Sequence, residues 1–142
     1  MTSAEPERVA LSGLFRASPL AGVLSVLGNL AVFYAARVAG VLVNIPEAPG
    51  STTMVPLELP PVVISSLMPA FAAAIVLALL GRLTASPLSI FRGVAVVVLV
   101  LSFIPVFLLP AGVGTKVVLS LMHLISGVVI TFVLLKFGRG AG

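Results

Sequence analysis

Residues 90–109 read IFRGVAVVVLVLSFIPVFLL, and this stretch decides the fold class. Arg92 is its only charged side chain, and about 20 mostly apolar residues are enough for a helix to cross the hydrocarbon core of a bilayer. Valine-rich runs such as 94–100 also favour strands. Strands of a closed membrane barrel alternate polar and apolar residues, however, and this stretch does not alternate. It therefore predicts a membrane-spanning helix.

Three further apolar runs have a similar length and composition. One follows the Pro60–Pro61 pair, which suits the first turn of a helix, and another ends before Gly138, a plausible helix stop. The sequence therefore predicts an all-α integral membrane four-helix bundle with spans at about 20–43, 61–83, 90–109 and 115–137. Its predicted domains are a polar N-terminal arm, 1–18, and a four-helix transmembrane domain, 19–138, with an external loop, 44–60.

The composition agrees with a lipid bilayer as the main partner. The chain has 142 residues, of which 60% are hydrophobic and 8% charged, whereas a soluble domain carries about 25% charged residues. The formal net charge is +4, but the few basic residues lie beside apolar runs and form no patch typical of nucleic-acid binding. Nucleic acid is therefore not an expected partner.

The distribution of basic residues predicts the orientation. Six of them lie on one side of the predicted spans, and only one lies beside the third loop: Arg8, Arg16, Arg82, Arg92, Lys136 and Arg139 against Lys116. The loop 44–60 contains no Lys or Arg. Because basic residues concentrate on the cytoplasmic side, we expect a plasma-membrane protein with both termini in the cytoplasm.

Arg37 is the one charged residue well inside a predicted span. At 100° per residue it falls on the same face of the first helix as Asn29, together with several small residues, and such a face is expected to point into the bundle. Two interpretations remain open. The side chain reaches the headgroup region, or it forms a structural ion pair with Glu58 or Glu47 from the first loop.

His123 is the second exception, about 12 Å below the external end of the fourth span at 1.5 Å per residue. Asn29 lies at a comparable depth, so the two side chains are expected to meet if the first and fourth helices are neighbours. Ser102 lies in the outer half of the third span. We therefore predict an outward-facing pocket lined by Asn29, Arg37, Ser102 and His123. The alternative is that His123 is a packing residue hydrogen-bonded to Asn29 or Ser120.

The sequence lacks the residues that proton relays, zinc sites and catalytic triads require. The relay of a proton-coupled transporter usually requires a carboxylate within a span, and no span contains one. One His and no Cys cannot form a zinc site, and no metal or cofactor is expected. No acid lies near His123 to complete a catalytic triad. The sequence thus gives no catalytic residue and favours a protein that is not an enzyme.

Three short segments resemble an uncharacterised family of small bacterial four-helix membrane proteins, known only as a domain of unknown function. They are Asn29–Gly40 (NLAVFYAARVAG), Leu101–Pro105 (LSFIP) and Leu121–Ile125 (LMHLI). The resemblance covers nearly the whole chain and implies four membrane helices. It implies no activity or site residue.

Two functions are consistent with these features. In the first, the outward pocket binds a small polar or anionic ligand. In the second, the protein is a structural or accessory subunit of a membrane complex or a homo-oligomer, and the alanine seam Ala70, Ala74 and Ala78 contacts a partner. A lipid- or quinone-modifying enzyme ranks third.

Overall fold

Four long helices dominate the protein, whose computed structural model describes residues 7–48 and 50–140. Within these residues the elements are α1 (Leu11–Val38), β1 (Asn44–Pro46), β2 (Met54–Pro56), α2 (Leu59–Leu83), α3 (Pro87–Leu108) and α4 (Val113–Phe137). Each helix is long and apolar enough to cross a membrane. The predicted all-α four-helix membrane bundle is confirmed.

The helices surround an interior that is not uniformly filled. α1 packs extensively along α2 and α4, and α3 packs less extensively against the same two helices. α1 and α3 therefore lie on opposite sides of the bundle. We call the end where α1 begins and α4 finishes the termini end, and the opposite end, next to β1 and β2, the hairpin end.

Two apolar clusters hold the bundle together. The termini-end cluster combines buried residues of all four helices, including Leu14, Leu77, Phe91 and Leu134. The smaller hairpin-end cluster comprises Phe33, Ala36, Val43, Val62, Val118 and Met122. Because polar side chains lie between the two clusters, the bundle core is divided along its length.

α1 begins at Leu11, whereas the sequence predicted a start near residue 20. Leu14, Ala17 and Ala21 are buried in the termini-end cluster. Their contacts stabilise a helix that includes residues 11–18 of the predicted arm, 1–18. Residues 7–10 also pair with the chain after α4, since the Ala10 amide donates to the Gly138 carbonyl at 3.0 Å. Residues 1–6 of the predicted arm lie outside the described residues.

α1 ends at Val38, earlier than the predicted boundary at 43, because Gly40 stops it. Gly40 has a φ of +72°, a left-handed conformation that favours glycine. Its amide donates to the Arg37 carbonyl at 3.1 Å, and the Val41 amide donates to Ala36 at 2.9 Å. This pair of bonds is a Schellman motif, which satisfies the last carbonyls of a helix.

The predicted external loop contains a short hairpin. β1 and β2 are antiparallel, with Ile45 opposite Val55. The Leu57 amide donates to the Val43 carbonyl at 2.8 Å and extends the pairing of the two arms. The Thr115 hydroxyl of α4 donates to the Leu42 carbonyl at 3.1 Å and fastens the hairpin to the bundle. The loop therefore packs against the helix ends.

Candidate binding cavity

An elongated cavity of about 690 Å³ lies between α2, α3 and α4. Ile45 and Leu57 line it at the hairpin end, and Phe91 and Ile130, which belong to the termini-end cluster, line its other end. Most of the other lining residues are Val, Leu, Ala or Pro. Polar side chains also contribute to the wall: Asn29, Ser65, Ser102, His123, Ser126 and Thr131.

The cavity is open on one side, between α2 and α3. Lining residues of both helices, among them Ala72 and Val76 of α2 and Val94 and Val98 of α3, are exposed. α1 closes the opposite side and contributes only Asn29 to the lining. The weak packing of α3 against α2 therefore leaves a lateral opening toward the bilayer.

Asn29 joins three helices between the two apolar clusters. Its Nδ2 donates to the Ser66 hydroxyl of α2 at 2.8 Å and to the Ser126 hydroxyl of α4 at 2.9 Å. Asn29 is 5% exposed and Ser66 is fully buried. An unsatisfied polar group is costly in hydrocarbon, so these bonds fix the mutual position of α1, α2 and α4. We call Asn29, Ser66 and Ser126 the polar layer.

One side of the Asn29 amide has no protein partner. Its Oδ1 is buried and accepts no hydrogen bond from the described residues, and the same holds for the Oγ of Ser25, one turn earlier in α1. The amide orientation follows from Ser66, whose hydroxyl donates to the Val62 carbonyl at 2.6 Å and can only accept from Asn29. An inverted amide would place two acceptor oxygens together.

His123 lines the cavity at about one helical turn from Ser126, toward the hairpin end. Its Nδ1 lies 2.7 Å from the Leu119 carbonyl oxygen. Because a carbonyl can only accept, Nδ1 carries the proton in this bond, and Nε2 is the acceptor of the neutral ring. The ring centroid lies 6.4 Å from that of Phe103.

The structure brings together three of the four residues predicted for the ligand site, and their mutual bonds differ from those expected. Asn29, Ser102 and His123 line the same cavity. Asn29 bonds to Ser126 of α4 rather than to His123, and the Ser102 hydroxyl donates to the Leu99 carbonyl at 2.6 Å. These intrahelical and interhelical partners explain how each polar group tolerates its depth.

Arg37 lies apart from the cavity. It is exposed near the end of α1, with its guanidinium carbon 5.2 Å from the centroid of the Phe33 ring, one turn earlier. Glu58 is also exposed, and no salt bridge joins the two among the described residues. Lys136 lies similarly over the Phe132 ring, at 5.6 Å. Cations over aromatic faces at a helix end are consistent with side chains that reach the membrane surface.

Ser126 is the site residue that the sequence reasoning overlooked. It follows His123 by three residues and therefore lies on a neighbouring part of the same helix face. It meets Ser66 of α2 through Asn29 of α1, whose amide donates to both hydroxyls. Its place on the same face as His123 is the signal in the sequence that could have identified it.

The termini end has a different polar feature, a carboxylate at the start of α3. Glu7 Oε2 accepts from the Leu88 and Ser89 amides at 2.8 and 3.1 Å, and Oε1 accepts from the Ser89 hydroxyl at 2.7 Å. The Ser89 hydroxyl, the two amides and the charge of Arg139 lower the pKa of Glu7, and partial desolvation opposes them. An anion at a helix N-terminus is favourable, so Glu7 fastens the arm to α3.

The cavity has a mostly apolar lining, with few groups that could take part in proton transfer or hold a metal. Its lining contains no carboxylate, and the described residues contain no group of three or more His, Cys, Asp or Glu side chains that could hold a metal. Among the described residues, His123 is the only ionisable one that lines the cavity. What the arrangement offers is a long apolar wall with hydrogen-bonding groups near its middle.

A comparison with family models supports the resemblance seen in the sequence. Residues 9–139, which include all four helices, match a family of unknown function (DUF6069). Comparisons with curated proteins and with solved structures return no match. The chain belongs to this family of unknown function.

Proposed function

We propose that the protein binds one single-chain amphiphile in the cavity between α2, α3 and α4. The observation that carries this proposal is the lining itself, which is apolar along its length and polar near the middle. Small-molecule sites have the same character, with mostly apolar walls, a few polar groups and volumes of about 300–1,000 Å³. The cavity volume of about 690 Å³ falls in this range.

The shape of the cavity favours a chain over a compact ligand. Its lining residues on α3 extend from Phe91 to Val106, which corresponds to about 22 Å of helix at 1.5 Å per residue. With a headgroup at the polar groups near the middle, about half of this length holds the chain, and the rest of a longer chain lies in the lateral opening. The lateral opening between α2 and α3 would admit this chain directly from the bilayer.

The charge of the lining favours an uncharged ligand, which revises the expectation of a polar or anionic one. Arg37 lies outside the lining, so the cavity has no permanent cation to pair with an anion. A charge buried in hydrocarbon without a partner is costly. We therefore expect Arg37→Ala to bind the ligand as the parent protein does.

Hexadecanol is a suitable probe, and thermal stabilisation of the detergent-solubilised protein is the measurement. A ligand that binds only the folded state raises the melting temperature. Val98→Trp places an indole in the cavity, and Val97→Trp is its matched control, because Val97 is equally exposed on α3 but lies outside the lining. Hexadecanol should stabilise the parent and Val97→Trp but not Val98→Trp. Equal stabilisation of both variants would refute the proposal.

A second candidate function is that of a subunit in a homo-oligomer or a larger membrane complex. The face of α3 away from the cavity, including Val96, Val97, Val100 and Ile104, is exposed and is available to a partner helix as well as to lipid. The alanine seam does not support this function, because Ala70 and Ala74 are buried in the termini-end cluster. Mass measurement in nanodiscs separates the candidates: a monomer without a co-purifying protein contradicts this one.

We also propose that the protein lies in the plasma membrane with both termini in the cytoplasm. The support is the excess of basic residues at the termini end. The chain has no Cys, so single substitutions report on topology. A membrane-impermeant maleimide should label Thr52→Cys, in the hairpin, in intact cells, and Ala85→Cys, between α2 and α3, only after lysis. The reverse pattern would refute the orientation.

A further inference from the structure

The polar layer and its neighbours limit the chemistry of the ligand headgroup, because most of their polar hydrogens already form hydrogen bonds within the protein. Both Nδ2 hydrogens of Asn29 are donated to serine hydroxyls. The Ser102 hydroxyl and the His123 Nδ1–H are donated to backbone carbonyls. These groups therefore have no hydrogen left for a ligand.

Two acceptors near the polar layer have no donor from the described residues. The first is Asn29 Oδ1, on a side chain that is 5% exposed and lines the cavity. The second is Nε2 of His123, which is an acceptor when the ring is neutral, because the bond to the Leu119 carbonyl requires the proton on Nδ1. Both side chains belong to the same cavity wall, but Asn29 Oδ1 itself has almost no accessible surface, so His123 Nε2 is the acceptor left for a ligand in the cavity.

One donor is also available beside these acceptors. The Ser126 hydroxyl accepts from Asn29, and its own hydrogen has no acceptor recorded among the described residues. The group that complements this wall must therefore give one hydrogen and also accept one. A hydroxyl does both.

We propose that the ligand is a long-chain alcohol, whose hydroxyl donates to His123 Nε2 and accepts from Ser126. The inference rests on the proposed binding function and specifies its ligand class. An ether, ester or quinone carbonyl only accepts, so it would bond to Ser126 and leave His123 Nε2 without a hydrogen. A buried acceptor without a donor weakens binding.

The test compares hexadecanol with its methyl ether, which keeps the chain and the oxygen but has no hydroxyl hydrogen. Dissociation constants are measured with the full-length protein in nanodiscs. The loss of one hydrogen bond corresponds to roughly three- to tenfold in affinity, so hexadecanol should bind about that much more tightly. An ether that binds as well as the alcohol would overturn the inference.

A histidine variant locates the effect without disturbing the polar layer. His123→Phe keeps a ring against Phe103 and removes the Nε2 acceptor, and it should reduce the preference for the alcohol over the ether. Ser120→Ala, on the same helix but outside the lining of this cavity, is the matched control and should keep the preference. An unchanged preference in His123→Phe would overturn the inference.

Val98→Trp distinguishes failure of this inference from failure of the proposed function. If alcohol and ether bind the parent equally and Val98→Trp abolishes both, the cavity binds amphiphiles but does not select a hydroxyl. If neither compound binds the parent, or Val98→Trp binds both normally, the proposed function and this inference are both refuted.

Discussion

At the termini end, buried side chains from all four helices fill the space between them, whereas toward the hairpin end three helices enclose an open cavity. The termini end is also fastened by Glu7 and by residues 8–10, which pair with the chain after α4. This difference indicates that the two ends have different roles. One end supplies most of the packing, so the other can keep a cavity whose walls are only partly in contact.

The largest expected effect tests whether packing is concentrated at the termini end. Leu134→Ala removes a fully buried side chain of the termini-end cluster and should lower the free energy of unfolding by about 2–5 kcal/mol. Val128→Ala, on an exposed face of the same helix, is the control and should change it little. The measurement is reversible denaturation in mixed micelles. Equal effects would contradict the packed termini end.

A pair of glycines sharpens the same comparison. A Cβ at Gly13 would collide with the backbone oxygen of Phe137, whereas a Cβ at Gly93 meets no atom within 4 Å. Gly13→Ala should destabilise the protein by about 1–3 kcal/mol, because backbone must shift. Gly93→Ala should be neutral or stabilising by up to about 1 kcal/mol, since alanine favours helix. Thermal unfolding of both variants in one detergent is the check; a tolerated Gly13→Ala would show that this end is looser than described.

A smaller effect is expected from the polar layer, which separates the two regions. Ser66→Ala leaves one Asn29 hydrogen without its acceptor and should cost about 0.6–1.7 kcal/mol, the range for such bonds between membrane helices. Ser65→Ala is the matched control, because Ser65 is exposed and bonds only within α2. Denaturation of both variants tests this prediction. If Ser65→Ala costs as much, the polar layer does not hold the helices together.

The smallest effect concerns the Glu7 carboxylate and depends on pH. Because the pKa of Glu7 is lowered in the folded protein, its stabilising contribution is complete above the ordinary carboxyl pKa. It is lost as the pH falls through the lowered value. Glu7→Gln should therefore be less stable than the parent at neutral pH, and the difference should shrink in acid. Melting temperatures across this range are the measurement, with the exposed Glu47→Gln as control. A pH-independent difference would assign the effect to packing.

The four helices could be predicted because a long apolar run has few alternatives in water or in lipid. The helix boundaries depended on local features that hydropathy does not detect. Gly40 ends α1 through its left-handed backbone, and the contacts of Leu14 and Ala17 extend α1 toward its start. The hairpin was not predicted, because strands of three residues leave no clear periodicity.

The candidate site was predicted in part. Helical periodicity identified Asn29 and His123, since polar residues in an apolar helix are conspicuous. It could not tell which helices would be neighbours at a given depth, and so it missed the bond from Asn29 to Ser126. It also assigned Arg37 to the site, because Arg37 and Asn29 lie on the same face of the helix. In the structure the Arg37 guanidinium lies over the ring of Phe33, four residues earlier.

The central claim, that the cavity holds a single-chain amphiphile, is tested most directly by photo-crosslinking in nanodiscs. A hexadecanol analogue with a diazirine in its chain is irradiated with the protein, and the modified residues are mapped with and without excess hexadecanol. We predict competed adducts on lining residues such as Val98 and Leu99, and uncompeted ones on outward residues such as Val97 and Val128. Adducts spread over all exposed faces, with no competed set, would contradict the account.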